Sequence, residues 1–136
     1  MVKAAISYRV PYADTDQMGV VYYANFFVYF ERVRNELLRN MDLPYTSLEA
    51  DGLMLPVSSA HCDYKVPAKY DDMLSIEASI TEMKGCRMFV ENKVFNQDGV
   101  LLVSGGTTHC FVSAETRKPI KIPTEIIERF ENYSEK

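Results

Sequence analysis

Asn25-Phe26-Phe27-Val28-Tyr29-Phe30-Glu31-Arg32-Val33-Arg34-Asn35-Glu36-Leu37-Leu38-Arg39-Asn40-Met41 is the stretch that decides the fold. Phe26, Phe30, Val33, Leu37 and Met41 recur at spacings of three or four, which is the helical period. Phe27, Arg34 and Leu38 broaden that stripe, and Arg32 and Glu36 stand at i,i+4 on the other face, where they can pair. Asn25 is the expected N-cap, and Pro44 ends the helix. So many large side chains on one helix predict that it lies deep in a core.

Downstream, Thr46-Ser47-Leu48-Glu49 has the form of a capping box for a short second helix, stopped by Gly52. The rest reads as strands. Residues 55–66 alternate, with a slip at Ser58-Ser59 that predicts a β-bulge. Leu74, Ile76, Ala78 and Ile80 alternate with Ser75, Glu77, Ser79 and Thr81, as in a half-buried antiparallel strand. Residues 87–95 follow, and Asp98-Gly99 turns them into a strand over 100–112. Upstream, residues 4–10 form a first strand closed by Pro11, and residues 124–130 form a terminal helix entered through Pro123.

The predicted order is one strand, a long buried helix and four antiparallel strands. One helix cannot cover both faces of a five-stranded sheet. An α+β domain with the sheet wrapped around the helix, its open face or edge hidden against a second copy, solves this. A homodimer or homotetramer is therefore expected. With no linker, repeat or low-complexity segment, residues 1–136 read as a single domain.

Hydrophobic residues make up 47% and charged residues 25% of the chain, so a packed core rather than disorder is expected. Fifteen basic against 19 acidic side chains give a net charge of −4, which argues against a nucleic-acid partner. Three cysteines in no CxxC spacing do not make a disulfide framework, and a reducing, cytoplasmic setting is the expectation. The N-terminus lacks the apolar region of a signal peptide, and no apolar run approaches the roughly 20 residues of a membrane span.

Chemistry concentrates just before the long helix, in Tyr12-Ala13-Asp14-Thr15-Asp16-Gln17-Met18-Gly19-Val20-Val21-Tyr22-Tyr23-Ala24. This loop can fold back and bring the Asp16 carboxylate to the helix N-terminus, where unpaired N–H groups carry partial positive charge. A thioester or ester carbonyl bound there would have its developing oxyanion stabilised. Asp16 could then act as general base on water, or attack directly to give a mixed anhydride. Gly19 would let the backbone approach the acyl group closely. The competing reading is that Asp and Gly are turn formers; Asp14 fits that role better than Asp16 does.

The run 12–39 closely resembles the N-terminal signature of the 4-hydroxybenzoyl-CoA thioesterase-like family of hotdog-fold acyl-CoA thioesterases. Asp14, Asp16, Gly19, Val21, Tyr23 and Phe26 carry the pattern, followed by Phe30-Glu31-Arg32-Val33-Arg34. Thr107-Thr108-His109-Cys110-Phe111-Val112, Lys118-Pro119-Ile120 and Ile122-Pro123 resemble the family's closing strand and tail. The resemblance implies a hotdog fold and an acyl-CoA thioesterase that releases a free acid and CoA. Coenzyme A is then part of the substrate, and neither a metal nor any other cofactor is required. It assigns the catalytic carboxylate to Asp16 and carbonyl polarisation to the backbone N–H of Tyr23. Some members have a histidine at the position of Tyr23, so a histidine-dependent mechanism does not carry over. Acyl carrier protein as the thioester carrier, and a non-catalytic acyl-thioester binding module, are the alternatives.

Gly19, Val20 and Phe26 are the expected substrate-binding residues around Asp16. The phosphates of CoA require cations, and Lys84-Gly85-Cys86-Arg87, at a predicted turn, supplies Lys84 and Arg87. Lys65, Lys69 and Arg117-Lys118 are alternatives. Tyr22, Phe27, Tyr29 and Phe30 could line an acyl pocket or simply fill the core. His61 and His109 read as strand residues, and Cys62, Cys86 and Cys110 as small fillers. No GxSxG elbow is present. Gly105-Gly106 is expected to mark close backbone approach or a bend in the sheet.

Overall fold

The computed structural model describes residues 2–134. Five strands form one antiparallel sheet: β1 (Val2–Arg9), β3 (Val57–Tyr64), β4 (Met73–Lys84), β5 (Arg87–Phe95) and β6 (Leu101–Cys110). Their spatial order is β1-β4-β5-β6-β3. Helix α1 (Asn25–Asn40) lies against the inner face, chiefly over β1 and β4, with Phe30, Val33 and Leu37 fully buried. This is the hotdog arrangement, and the aromatic stripe of α1 is what the sheet curls around.

A row of mostly small residues crosses the inner face. Cys62, Gly105, Asn92, Ala78 and Ala4 form one row across the sheet. A Cβ on Gly105 would collide with the His61 carbonyl oxygen and stand 3.1 Å from the Phe30 ring. On the outer face, a Cβ on Gly106 would stand 2.7 Å from the Val90 carbonyl oxygen. The glycine pair thus sets the approach of strand to strand and of sheet to helix.

The β3–β6 register slips between Val57 and Ser59, which places the expected bulge at Ser58. Several local expectations are corrected. The strand expected over 100–112 breaks at Phe111. Val112–Ser113 (β7) leaves the main sheet and pairs with Leu53–Met54 (β2). The short helix α2 (Tyr45–Ala50) starts after Pro44 with no side-chain cap, so Thr46 and Glu49 form no capping box. Glu36 pairs with Arg39 at 3.1 Å, while Arg32 lies 4.7 Å over the ring of Tyr8. The terminal helix α3 (Thr124–Ser134) runs four residues past its expected end. It is tied to the end of α1 by Arg129, which donates to the Asp42 carbonyl, and by Tyr133, whose hydroxyl donates to the Asp42 carboxylate.

The two sheet edges differ. On β1 alternate side chains are covered by the chain's own core, whereas β3 is exposed along almost its whole length. Val57 and Tyr64, at its two ends, are each about half exposed.

Candidate functional site

Asp14 is the anchor from which the site is built. It closes a 3-10 turn (Tyr12–Asp14) after Pro11, and its Oδ2 accepts the hydroxyls of both Tyr8 and Tyr29 at 2.7 Å. Its carbonyl accepts the Tyr22 N–H and the Asn25 side-chain amide, each at 2.9 Å. One residue thus joins β1, the loop and the first turn of α1. Burial, with the carboxylate beside it, pushes the Tyr29 hydroxyl well above the usual tyrosine range, which keeps it a donor. Asn25 is spent on this contact rather than on capping. It is the first helical residue, and Ala24 holds the cap position without a side-chain bond, a correction to the expected N-cap.

Asp16 heads a tight turn. Its N–H donates to the Val20 carbonyl at 2.9 Å, its carbonyl accepts the Gly19 N–H at 3.0 Å, and Thr15 bridges Val21. Gly19 takes φ +76, a left-handed conformation that makes glycine the natural residue there. Asp16 Oδ1 accepts the Met18 N–H at 2.8 Å, so the turn-former reading holds for one oxygen. Oδ2 has no partner among the described residues.

That carboxylate borders a cleft of ≈ 350 Å³. One wall is Val20, Val21, Tyr23 just before α1 and Phe26 in its first turn; the other is Tyr64, Lys65, Val66, Pro67 and Ala68. The walls are pinned together by the Val21 N–H on the Ala68 carbonyl (2.8 Å), a bridge between Val20 and Lys69, and the Tyr64 hydroxyl on the Tyr23 carbonyl (3.0 Å). At the entrance to α1 the first N–H groups with acceptors are those of Asn25, on Tyr22, and Phe26, on Tyr23. The N–H groups of Tyr23 and Ala24 find none among the described residues. Asp16 and Tyr23, with its unpaired N–H at the entrance to α1, therefore line one apolar cleft, an arrangement suited to attack on a polarised carbonyl.

Of the residues expected at the site, Asp16, Val20, Tyr23 and Phe26 line one cleft, and Gly19 shapes the turn beside it. Lys84 and Arg87 do not join them within one chain. Arg87 opposes Cys110 at one end of β6, and Tyr64 of the cleft opposes Val103 near the other end. Seven residues of strand separate these positions, roughly 24 Å. Lys65 is the cation that lines the cleft. Tyr29 and Phe30 are core, Phe27 packs on Phe30, and Tyr22 stacks on Tyr23 at the surface. The wall at 64–68 went unforeseen, apart from Lys65. Pro67 signals the end of a strand, but no local pattern says which element that end meets.

His109 is fully buried. Its Nε2 lies 2.8 Å from the Thr107 hydroxyl and its Nδ1 3.3 Å from the Leu55 carbonyl, so Nδ1–H donates and Nε2 accepts. Burial, assisted by the nearby Arg34 guanidinium, lowers its pKa to about 4. It is a neutral residue of the core. His61 sits exposed on β3, facing Gly106. Among the described residues, no three His, Cys, Asp or Glu side chains are grouped to hold a metal ion, and no helix is long and apolar enough to cross a membrane.

The profile of the thioesterase-like superfamily matches residues 10–130, which spans both walls of the cleft. The chain belongs to this family. An acyl-CoA thioester hydrolase of Escherichia coli, YbgC, is 34% identical over 122 residues, covering 90% of this chain and 91% of that protein. The Haemophilus influenzae acyl-CoA thioesterase YbgC is 36% identical over 119 residues, covering 87% of each. Among solved structures, a DHNA-CoA thioesterase from Staphylococcus aureus superposes with a TM-score of 0.89 at 26% identity, over 99% of this chain and 91% of that one. These relatives match the chain along nearly its whole length.

Proposed function

We propose that this chain is an acyl-CoA thioesterase that hydrolyses a thioester in the Asp16 cleft to a free acid and CoA. The reading is carried by one observation: Asp16, whose Oδ2 is unpartnered, and Tyr23, whose N–H is unpaired, line the same cleft. The thioester carbonyl oxygen lies at the start of α1, where the Tyr23 N–H offsets its growing charge. Asp16 either takes a proton from the attacking water or attacks the carbonyl itself. The sulfur leaves as the CoA thiol. The acyl-CoA activity carried in the names of the YbgC relatives supports the reading.

The active form is a homodimer or a dimer of dimers. β3 is an unpaired eight-residue edge that the chain's own helices leave exposed on both faces, and such edges are normally covered. A two-fold axis beside β3 would pair it antiparallel with its copy. The same rotation turns the partner end for end, so the Lys84 to Arg87 turn of the partner subunit moves to the end of the sheet where this chain's cleft lies. Lys65 and that turn are the cations assigned to the CoA phosphates.

The direct test is release of free thiol from a panel of aromatic, short-chain and branched acyl-CoAs. Turnover of at least one, above the rate with the same acyl group on acyl carrier protein, is expected. Saturable binding of acyl-CoA without thiol release across the panel would instead make the chain a binding module.

A further inference from the structure

Two cysteines that are 24 positions apart in sequence are brought together by the β5–β6 pairing. Cys110, the last residue of β6, opposes Arg87, and the backbone N–H of Phe111 donates to the Cys86 carbonyl at 2.7 Å. The Gly85-Cys86 turn therefore folds over the end of β6, and the two sulfurs lie 3.2 Å apart, with the Cys110 thiol donating to Cys86. Both side chains are part-buried. Cys62 is also a free thiol, but it lies on β3, opposite Gly105, and has no cysteine beside it. The 24-residue spacing matches no redox or metal motif, which is why the sequence presents them as strand fillers.

We propose that Cys86 and Cys110 form a redox-active dithiol, which a peroxide closes reversibly into an intrachain disulfide. Cys86 is assigned as the attacking sulfur because it is the acceptor of the Cys110 thiol, which leaves Cys110 placed as the resolving partner. Burial and that same neighbour push the Cys110 thiol up, which keeps its proton in place until it is needed. Cys86 attacks one peroxide oxygen, the O–O bond breaks, and the departing oxygen leaves as water after protonation. Cys110 then attacks the sulfenic sulfur of Cys86, and the hydroxyl leaves as a second water. Two thiols lose two electrons and two protons, and one peroxide becomes two waters. Closure needs the sulfurs to approach from 3.2 Å to ~2.05 Å, which is within reach of side-chain rotation at a turn. In a reducing compartment the dithiol is the resting form. The disulfide would staple the turn carrying Lys84 and Arg87 to the junction of β6 and β7.

The reduced full-length protein, treated with hydrogen peroxide, should fall from three titratable thiols per chain to one and stay monomeric on a denaturing non-reducing gel. Peptide mapping should show Cys86 joined to Cys110, and dithiothreitol should restore all three thiols. Cys62→Ser should still form the bond. In Cys110→Ser, oxidation of Cys86 should stop at a sulfenic acid that dimedone captures. Loss of Cys62 at the same rate, cross-links between chains in place of the intrachain bond, or Cys62→Ser failing to form it would overturn the proposal. This readout is independent of thioesterase activity.

Discussion

Tyr29, from the first turns of α1, donates its hydroxyl to Asp14 Oδ2 at 2.7 Å. Tyr8 of β1 donates to the same oxygen at 2.7 Å. This shared acceptor fixes the loop that presents Asp16, so the two aspartates divide the work: Asp14 holds and Asp16 faces the cleft. Tyr29→Phe removes one hydrogen bond to a charged acceptor, a loss of about 1.5–3 kcal/mol. The urea midpoint at neutral pH should fall accordingly with little change in slope. An unchanged midpoint would mean that Asp14 does not carry this load.

Gly105→Ala puts a methyl group against the His61 carbonyl and the Phe30 ring, where a backbone atom cannot give way cheaply. A loss of about 1–3 kcal/mol or more is expected from such overpacking. Gly99→Ala provides a contrast, since its Cβ meets no atom within 4 Å and its cost is only that of the left-handed φ of +75. Thermal melts should rank Gly105→Ala as the more damaging. The reverse order would contradict the tight helix-to-sheet approach.

His109 gives the fold a dependence on acid. Its folded-state pKa is lowered to about 4 by burial and Arg34, against an ordinary value of about 6.5. Between these values the unfolded chain binds a proton that the folded chain refuses, so stability falls as pH drops from 6.5 towards 4 and levels off below. The total is on the order of 3 kcal/mol. His109→Gln should flatten that part of the stability profile, measured by denaturant titration at several pH values. An unaltered slope would place the acid sensitivity elsewhere.

The exposed β3 edge predicts self-association. Sedimentation at micromolar concentration should show a dimer or a dimer of dimers. A stable monomer would leave β3 uncovered and remove the route that brings Lys84 and Arg87 to the cleft.

The long helix was legible because its core contacts repeat along one segment, from Phe26 to Met41. The bulge at Ser58 was legible for the same reason, as a slip in a local alternation. Asp16 and Tyr23 lie seven residues apart, and their convergence could be read from one loop and the helix after it. What was hidden depends on register between distant strands. No local pattern could tell that Cys86 meets Cys110, that the Lys84 to Arg87 turn lies at the far end of the sheet from Tyr64, or that residues 64–68 form the second wall. The expected capping role of Asn25 failed because a side chain takes the best partner in three dimensions. For Asn25 that partner is the carbonyl of Asp14.

The central claim is that Asp16 carries the chemistry, and Asp16→Asn tests it most directly. Asparagine keeps an oxygen for the Met18 N–H, so the turn and the melting temperature should be retained. On an acyl-CoA that the unaltered protein hydrolyses, kcat should fall by about 10² or more, the scale of losing a general base. A folded Asp16→Asn protein with nearly undiminished kcat would contradict the account.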